Sequence, residues 1–592
     1  MNDLTATART WGVQTEYFDV FGKRYAASEA TLKHLIEAVS AGRAGPAMVA
    51  EPDMELPMEP AMRCWQGDGR RLWLLASQLY ALRSRRNWGI GDFTDLGHLV
   101  ARAAAHGAAG IGLNPLHVLF PEDAERASPY APNSRLFINP LYIDVEAIPE
   151  FPGLMAAGLD DEVAALRETE LVAYARVAAA KMRGLRLAYE TFRAAASAKR
   201  RADFEVYREE QGDALLRFAC FEVLRCHYAP APWTEWPHPW RAPEIADLHD
   251  FRFRHHDEVA FQEFVQWAAD RQLAACQHAA HRHGMPVGLY VDLAVGIDRH
   301  GADAWTNHGA VLNSVSMGAP PDEFNPGGQD WGLAPLNPHA APENDFMTVR
   351  QLLRAAMRHA GAIRLDHVLG LQRVFMIPLG HPALEGAYVR FPFHQLLDVI
   401  AEESVHFQCI VIGEDLGTVS ENFRETVARW GLWSYRVMLF EREGDDAHFK
   451  PPEVYPTAAL ATFNTHDMAS FRGWREGHDM KVKRAIGLDP GEDDGMRDWA
   501  RQKLREILGE RAPDQAPDDI AAVAAFLAAT PSHLVAISLD DVLGEREQVN
   551  IPGTTDQHPN WHRKLPLLIE ELEGHDTLRR VGEVFAKAGR SI

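Results

Sequence analysis

Four carboxylates in this sequence stand where short apolar runs stop: Asp292 in YVDLAVG, Asp366 in IRLDH, Glu414 in VIGEDLG and Asp467 in FNTHD. Converging carboxylates repel one another, so the pattern is poor for stability. It is good for chemistry at a glycosidic bond, which needs one carboxylate as nucleophile and another as general acid. Local context separates the roles. Arg364 lies two residues before Asp366, and side chains two apart in a strand share a face. A guanidinium there would favour the ionised carboxylate and lower its pKa, which suits a nucleophile. Glu414 has Ile410, Val411 and Ile412 behind it and no basic neighbour in sequence. Apolar surroundings suit a raised pKa and an acid that later turns base. His367 and His466, beside two of the acids, could hydrogen-bond sugar hydroxyls. Taken singly, an Asp at a strand end is often a helix N-cap. The four together would fit a metal site as well as a glycosidase. Against metal, no strand end carries a His-x-x-x-His spacing, and His278, His281 and His283 read as a helix end. No metal and no cofactor are expected.

The acids need strands to hold them, and eight runs supply candidates: LWLLASQLY, AAGIGLNPL, PVGLYVDLAVG, GAIRLDH, CIVIGEDLG, SYRVMLFE, LATFNTHD and HLVAISLDDVLG. Continuous rather than alternating hydrophobicity indicates strands covered on both faces. Eight of them with helical crossovers predict an α/β fold, a (β/α)8 TIM barrel, whose working residues lie at the C-terminal strand ends. Residues 67–592 are assigned to this catalytic barrel, with a mainly helical insertion at about 149–285 on its C-terminal face. Residues 1–66 are read as a small N-terminal helical element and linker. The Gly/Pro-rich segment Gly318 to Pro338 is read as irregular: a lid or sugar-stacking arm just after a barrel strand, carrying Gln329 and Trp331. The segment from Ser128 to Asp144, with Tyr130, Ser134 and Arg135, is read as a cleft wall after the second strand.

Composition narrows the partners. The 592 residues carry a formal net charge of -23, which disfavours phosphate backbones and anionic membranes but not a neutral sugar. There is no Walker motif or basic stripe, no run of eighteen apolar residues and no visible secretory signal. Five cysteines without a CxxC pair read as reduced thiols, so a cytoplasmic enzyme is expected. Oligomeric state is not legible.

Longer pieces carry a resemblance: QLYALRSRRNWGIGDF, SPYAPNSRLFINPLYID, DLAVGIDRHGADAW, GAPPDEFNPGGQDWGLAPLNP, IRLDH, IGEDLG, NTHD and DVLGEREQVNIPGTTDQHPNWHRK, in order from Gln78 to Lys564. With them the chain resembles the 4-α-glucanotransferases (amylomaltase, disproportionating enzyme) of glycoside hydrolase family 77. GAYVRFPFHQLLDVIAEES and the N-terminal GVQTEYFDVFGKRYAASEATLKHLIEAV look like the maltodextrin-metabolising bacterial branch. Longer members carry β-rich domains before the barrel, for which the interval from Ser40 to Leu72 is too short. The resemblance implies Asp366 as nucleophile, Glu414 as acid/base and Asp467 as transition-state stabiliser. Arg364, Asp292, His367 and His466 would line the same subsite, with Tyr130 and Ser128 binding substrate and Gln329 and Trp331 over the acceptor side. Many relatives have a second acid shortly after the Asp467 position, where this chain reads Met468-Ala469-Ser470. The implied reaction is retaining transfer of α-1,4-glucan segments between maltooligosaccharides. Alternatives are a hydrolase of the amylase type and a silent glucan-binding protein.

Overall fold

A computed structural model of the chain describes residues 2–18, 23–46, 59–120, 123, 126–321, 327–416, 419, 421–443 and 448–592. Two helices, α1 (Asn2–Thr10) and α2 (Glu29–Ser40), precede a closed barrel. Its eight parallel strands are β1 (Leu72–Ser77), β2 (Gly110–Leu113), β3 (Gly288–Leu293), β4 (Ala362–Leu365), β5 (Ile410–Gly413), β6 (Trp433–Val437), β7 (Ala459–Thr462) and β8 (Leu534–Ser538). Neighbours pair in sequence order and β8 closes on β1. Each falls on one of the eight apolar runs, and β2, β3, β4, β5 and β7 are buried along their whole length. Covered on one side by helices and on the other by the barrel interior, such strands have no polar face to show.

The first crossover helix, α3 (Phe93–Ala105), illustrates how local sequence sets an element. Asp92 caps it, accepting from the backbone N–H groups of Thr94 and Asp95, and Asp95 returns the favour in a capping box. Leu96, Leu99, Val100 and Ala103 then recur on one buried stripe. The loop before it, within QLYALRSRRNWGIGDF, is structural: Arg86 pairs with Asp92, Asp95 and Asp144, and a Cβ on Gly91 would lie 1.9 Å from the Leu79 carbonyl oxygen.

Between β2 and β3 come α4 (Tyr174–Ala195), α5 (Ala198–Tyr228, broken at Gly212), α6 (Ile245–Arg254) and α7 (His256–Arg282). The last of these packs on α3 and β3. It is therefore the barrel's own crossover helix, and what precedes it is an expanded loop at the C-terminal end of β2.

A second excursion, built from the β3–β4 and β4–β5 connections, was not expected. Gly318 to Pro338 was read as irregular, but Val315–Ala319 forms a strand pairing with Gln329–Asp330 on one side and Arg373–Pro378 on the other, and the last pairs with Ala387–Arg390. Leu333–Ala334 pairs with Ile297–Asp298. The glycines that suggested a loop are required by close approach: a Cβ on Gly318 would meet the Gln329 carbonyl oxygen at 2.0 Å. Nor does the segment directly follow a barrel strand, since it belongs to this separate antiparallel sheet. The sheet's other face is covered by the N-terminal segment. Val13 in the stretch after α1, and Leu32, Leu35 and Val39 of α2, pack with Val315, Met317, Val374, Met376 and Val389. That segment, expected as helical, also carries a strand pair, Glu16–Phe18 with Arg24–Ala26.

Candidate active site

The barrel's register creates the centre of the site. Arg364 of β4 pairs with Asp292 of β3, and Leu365 pairs with Gly413. Asp366 and Glu414 are thus the next residues off two adjacent strands, whose backbones run about 4.8 Å apart. Arg364 Nη1 donates to both oxygens of Asp292 at 2.8 Å and lies 3.2 Å from Asp366 Oδ1. Its guanidinium sits over the Tyr435 ring at 5.6 Å.

Glu414 is held by backbone. The N–H of His367 donates to Oε2 and the N–H of Leu416 to Oε1, both at 2.9 Å. His367 reaches that position in a left-handed conformation, φ 47°, which a non-glycine residue adopts only where the surroundings enforce it. Burial pushes Glu414 up to about 7, with Arg364 opposing and Asp366 assisting. This agrees with the sequence reading. Asp366 does not: burial raises it to about 6 even though Arg364 pulls the other way. The expectation of a lowered pKa failed because burial outweighs Arg364, and Asp292, which shares that guanidinium, adds repulsion. The neighbouring Asp415 is a different case: it pairs with Arg424 at 2.9 Å and Arg436 at 3.5 Å and accepts from the Tyr435 N–H, a structural anchor under β6.

Across the cleft, Asp467 follows β7 with its side chain 44 % exposed. Partial burial there would raise its pKa, but His466 at 3.3 Å and the Asn550 amide, donating at 2.6 Å, hold it below the ordinary carboxylate range. Asp467 in turn lifts His466 above the usual imidazole value against burial. The His466 ring stacks on Tyr130, centroids 5.0 Å apart. Tyr130 donates to Asp292 at 2.6 Å, linking the two sides.

The remaining expected residues divide. Trp331 meets the His367 ring edge to face at 5.1 Å and donates to Gln329 at 3.2 Å, which brings both residues of that sheet edge to the cleft. His367 is itself pushed down to about 4 by burial. Ser128 accepts from the Tyr130 N–H at 3.4 Å and so shapes the turn. Ser134 and Arg135, read as cleft wall, are instead buried: Ser134 donates to Asp303, and Arg135 to the carbonyls of Ala294 and Val295. They pin the loop after β3 from behind.

Sequence reasoning missed the loop after β8. Asn550 orients Asp467, Gln548 donates to the Asp467 carbonyl at 2.8 Å, and Trp561, in a left-handed conformation at φ 61°, lies 5.3 Å from His466 and 5.6 Å from Tyr130. The signal was present in VNIPGTTDQHPNW, a polar Pro/Gly stretch beyond the last strand. Below this ring a cavity of about 90 Å³ enters the barrel mouth, lined among others by Asp292, Arg364, Asn464 and His466. Ser77 Oγ, Gln78 Oε1 and Tyr290 OH are buried beside it without a partner among the described residues. Buried polar atoms converging without protein partners are what a polyhydroxylated ligand would satisfy.

The family model described as 4-alpha-glucanotransferase, glycoside hydrolase family 77, matches residues 77–569. The chain is 37 % identical over 564 residues to a Mycobacterium bovis 4-alpha-glucanotransferase, covering 90 % of this chain and 76 % of that one. It is 34 % identical over 547 residues to the Haemophilus influenzae protein of the same name, covering 86 % and 78 %. The crystal structure of amylomaltase from Corynebacterium glutamicum superposes with a TM-score of 0.84 at 28 % identity, covering 99 % of each chain.

Proposed function

The chain belongs to the 4-alpha-glucanotransferases of glycoside hydrolase family 77, a family of hexosyltransferases, and from that premise we propose a retaining double displacement carried by Asp366 and Glu414. The Asp366 carboxylate attacks the anomeric carbon of a bound maltooligosaccharide. The bond from that carbon to the 4-oxygen breaks as Glu414 gives its proton to the leaving glucan. Glu414, now a carboxylate, takes the proton from the 4-hydroxyl of an acceptor glucan or glucose, whose oxygen displaces Asp366. The observation that carries this reading is the register, which sets the two acids side by side off paired strands; a retaining pair needs its carboxyls about 5–5.5 Å apart. Arg364 shares one positive charge between Asp292 and Asp366, and Asp467 faces the anomeric centre as the carboxylate kept ionised. Transfer rather than hydrolysis requires a bound acceptor and exclusion of water, a role for the Gln329–Trp331 edge.

The same reading supports α-1,4-glucans as substrate and a cytoplasmic setting, in which the five cysteines stay reduced. No described helix is long and apolar enough to cross a membrane. Purified protein incubated with maltotriose tests it. A ladder of longer maltooligosaccharides with glucose, at constant reducing-end count, is expected. A rising count with only shorter products would make the protein a hydrolase. In the variant Trp331→Ala the hydrolysis-to-transfer ratio should rise.

A further inference from the structure

Away from the cleft, three side chains with ligand atoms converge on the insertion. His227 lies in the last turn of α5, His255 at the junction of α6 and α7, and Glu258 in the first turn of α7. None of them lines the barrel-mouth cavity. His227 Nε2 is 3.3 Å from Glu258 Oε1, and His255 Nδ1 is 2.9 Å from Glu258 Oε2. One donor atom from each residue lies within 4.8 Å of the other two. The two imidazoles meet at 63° with centroids 4.9 Å apart.

We propose that His227, His255 and Glu258 form a site for a borderline divalent transition metal, zinc foremost, that ties the end of α5 to the α6–α7 junction. Two imidazoles and a carboxylate are zinc's ligand types, whereas calcium and magnesium demand oxygen. With bonds of about 2.0–2.1 Å to a tetrahedral ion, ligand atoms stand roughly 3.3 Å apart along an edge. The His227–Glu258 and His255–Glu258 separations of 3.3 and 2.9 Å lie close to that edge, and all three donor atoms fall within 4.8 Å of one another. The side chains remain 35 %, 31 % and 49 % exposed, which leaves a fourth position open to water. The rings are oriented in advance: His255 stacks on the buried Phe251 at 4.4 Å, and His227 packs edge-on to the same ring at 6.2 Å. Two arginines beside the site have other partners: Arg193 pairs with Asp257 and Arg186 lies over the Phe261 ring. The triplet has no sequence signature, since His227 and His255 come from different helices.

The test uses the full chain stripped with chelator, titrated with zinc chloride by calorimetry and with cobalt(II) by visible absorption. Wild type should take up a zinc equivalent that His227→Ala and His255→Ala each weaken about tenfold or more and that the double variant lacks. His278→Ala, an exposed histidine on α7, should change nothing. Tetrahedral cobalt absorption and a zinc-dependent rise in melting temperature should follow the same pattern, with transferase activity retained throughout as the check on folding. Failure of wild type to bind zinc, or equal uptake and affinity in wild type and the double variant, would overturn the proposal and leave a hydrogen-bonded His–Glu–His chain.

Discussion

At the wall formed by β4 and β5, burial raises Asp366 to about 6 and Glu414 to about 7, while at the lip after β7 Asp467 is held below the ordinary carboxylate range by His466 and Asn550. The residue types are the same and all three follow barrel strands. What differs is the supply of compensating charge. One guanidinium serves Asp292 and Asp366 together and reaches Glu414 only through space, whereas Asp467 has an imidazole and an amide to itself and stands at the solvent edge. Environment therefore separates two acids with raised pKa values from one with a lowered value, which is the division that the proposed retaining transfer requires.

The most severe way to break the pair is Asp366→Asn, which keeps shape and removes the proposed nucleophile. Maltotriose disproportionation should fall by about 10⁴-fold or more; residual activity within tenfold of wild type would remove Asp366 from the mechanism. Glu414→Gln should lose about 10²–10⁴-fold on natural donors, yet recover its first step on an α-maltosyl fluoride donor, whose leaving group needs no proton. In wild type, kcat/KM should be bell-shaped. Asp366 must be ionised, so activity falls as pH drops through about 6, and Glu414 must be protonated, so activity falls as pH rises through about 7. These limbs belong to the pair and not to either acid alone. Loss of the alkaline limb in Glu414→Gln, with fluoride donor, sharpens the assignment; a retained limb would contradict it.

The lip is tested more gently. Asn550→Ala leaves Asp467 in place but removes its 2.6 Å donor. As a positioning residue, Asn550 should cost about tenfold in kcat with little change in KM, while the two limbs set by Asp366 and Glu414 stay in place. Asn550→Asp, which places a second anion there, should be worse than alanine. An unchanged kcat in both variants would show that Asp467 does not depend on the loop after β8.

The contrast between regions also explains what was legible in the sequence. The eight strands could be read because double burial leaves continuous apolar runs, and the four acids could be read because they end those runs. The antiparallel sheet around Val315–Ala319 could not, since its partner Arg373–Pro378 lies dozens of residues away and its glycines, needed for close strand approach, imitate loop composition. Asn550 and Asp467 meet across 83 residues of chain, a contact without local periodicity. The direction of the Asp366 shift failed for the same reason: Arg364 is visible two residues away, but the burial that outweighs it and the Asp292 that shares it both come from tertiary packing.

The smallest effect concerns stability and has opposite signs at the two sites. Glu414 has a folded pKa above its unfolded one, so the folded state disfavours its charge. That penalty is absent below about 4.5, grows as pH rises and is complete above about 7. Glu414→Gln should therefore stabilise the protein at pH 8 by on the order of 1 kcal/mol, after allowing for one weakened backbone hydrogen bond, and raise the melting temperature by ~1–2 °C. Asp467 has a depressed folded pKa, so its contribution is present above the unfolded value and is lost as pH falls through the folded one. Asp467→Asn should lower the melting temperature at pH 8, and the difference from wild type should shrink in acid. If both substitutions shift stability in the same direction at pH 8, the two walls do not differ in the way their partners require.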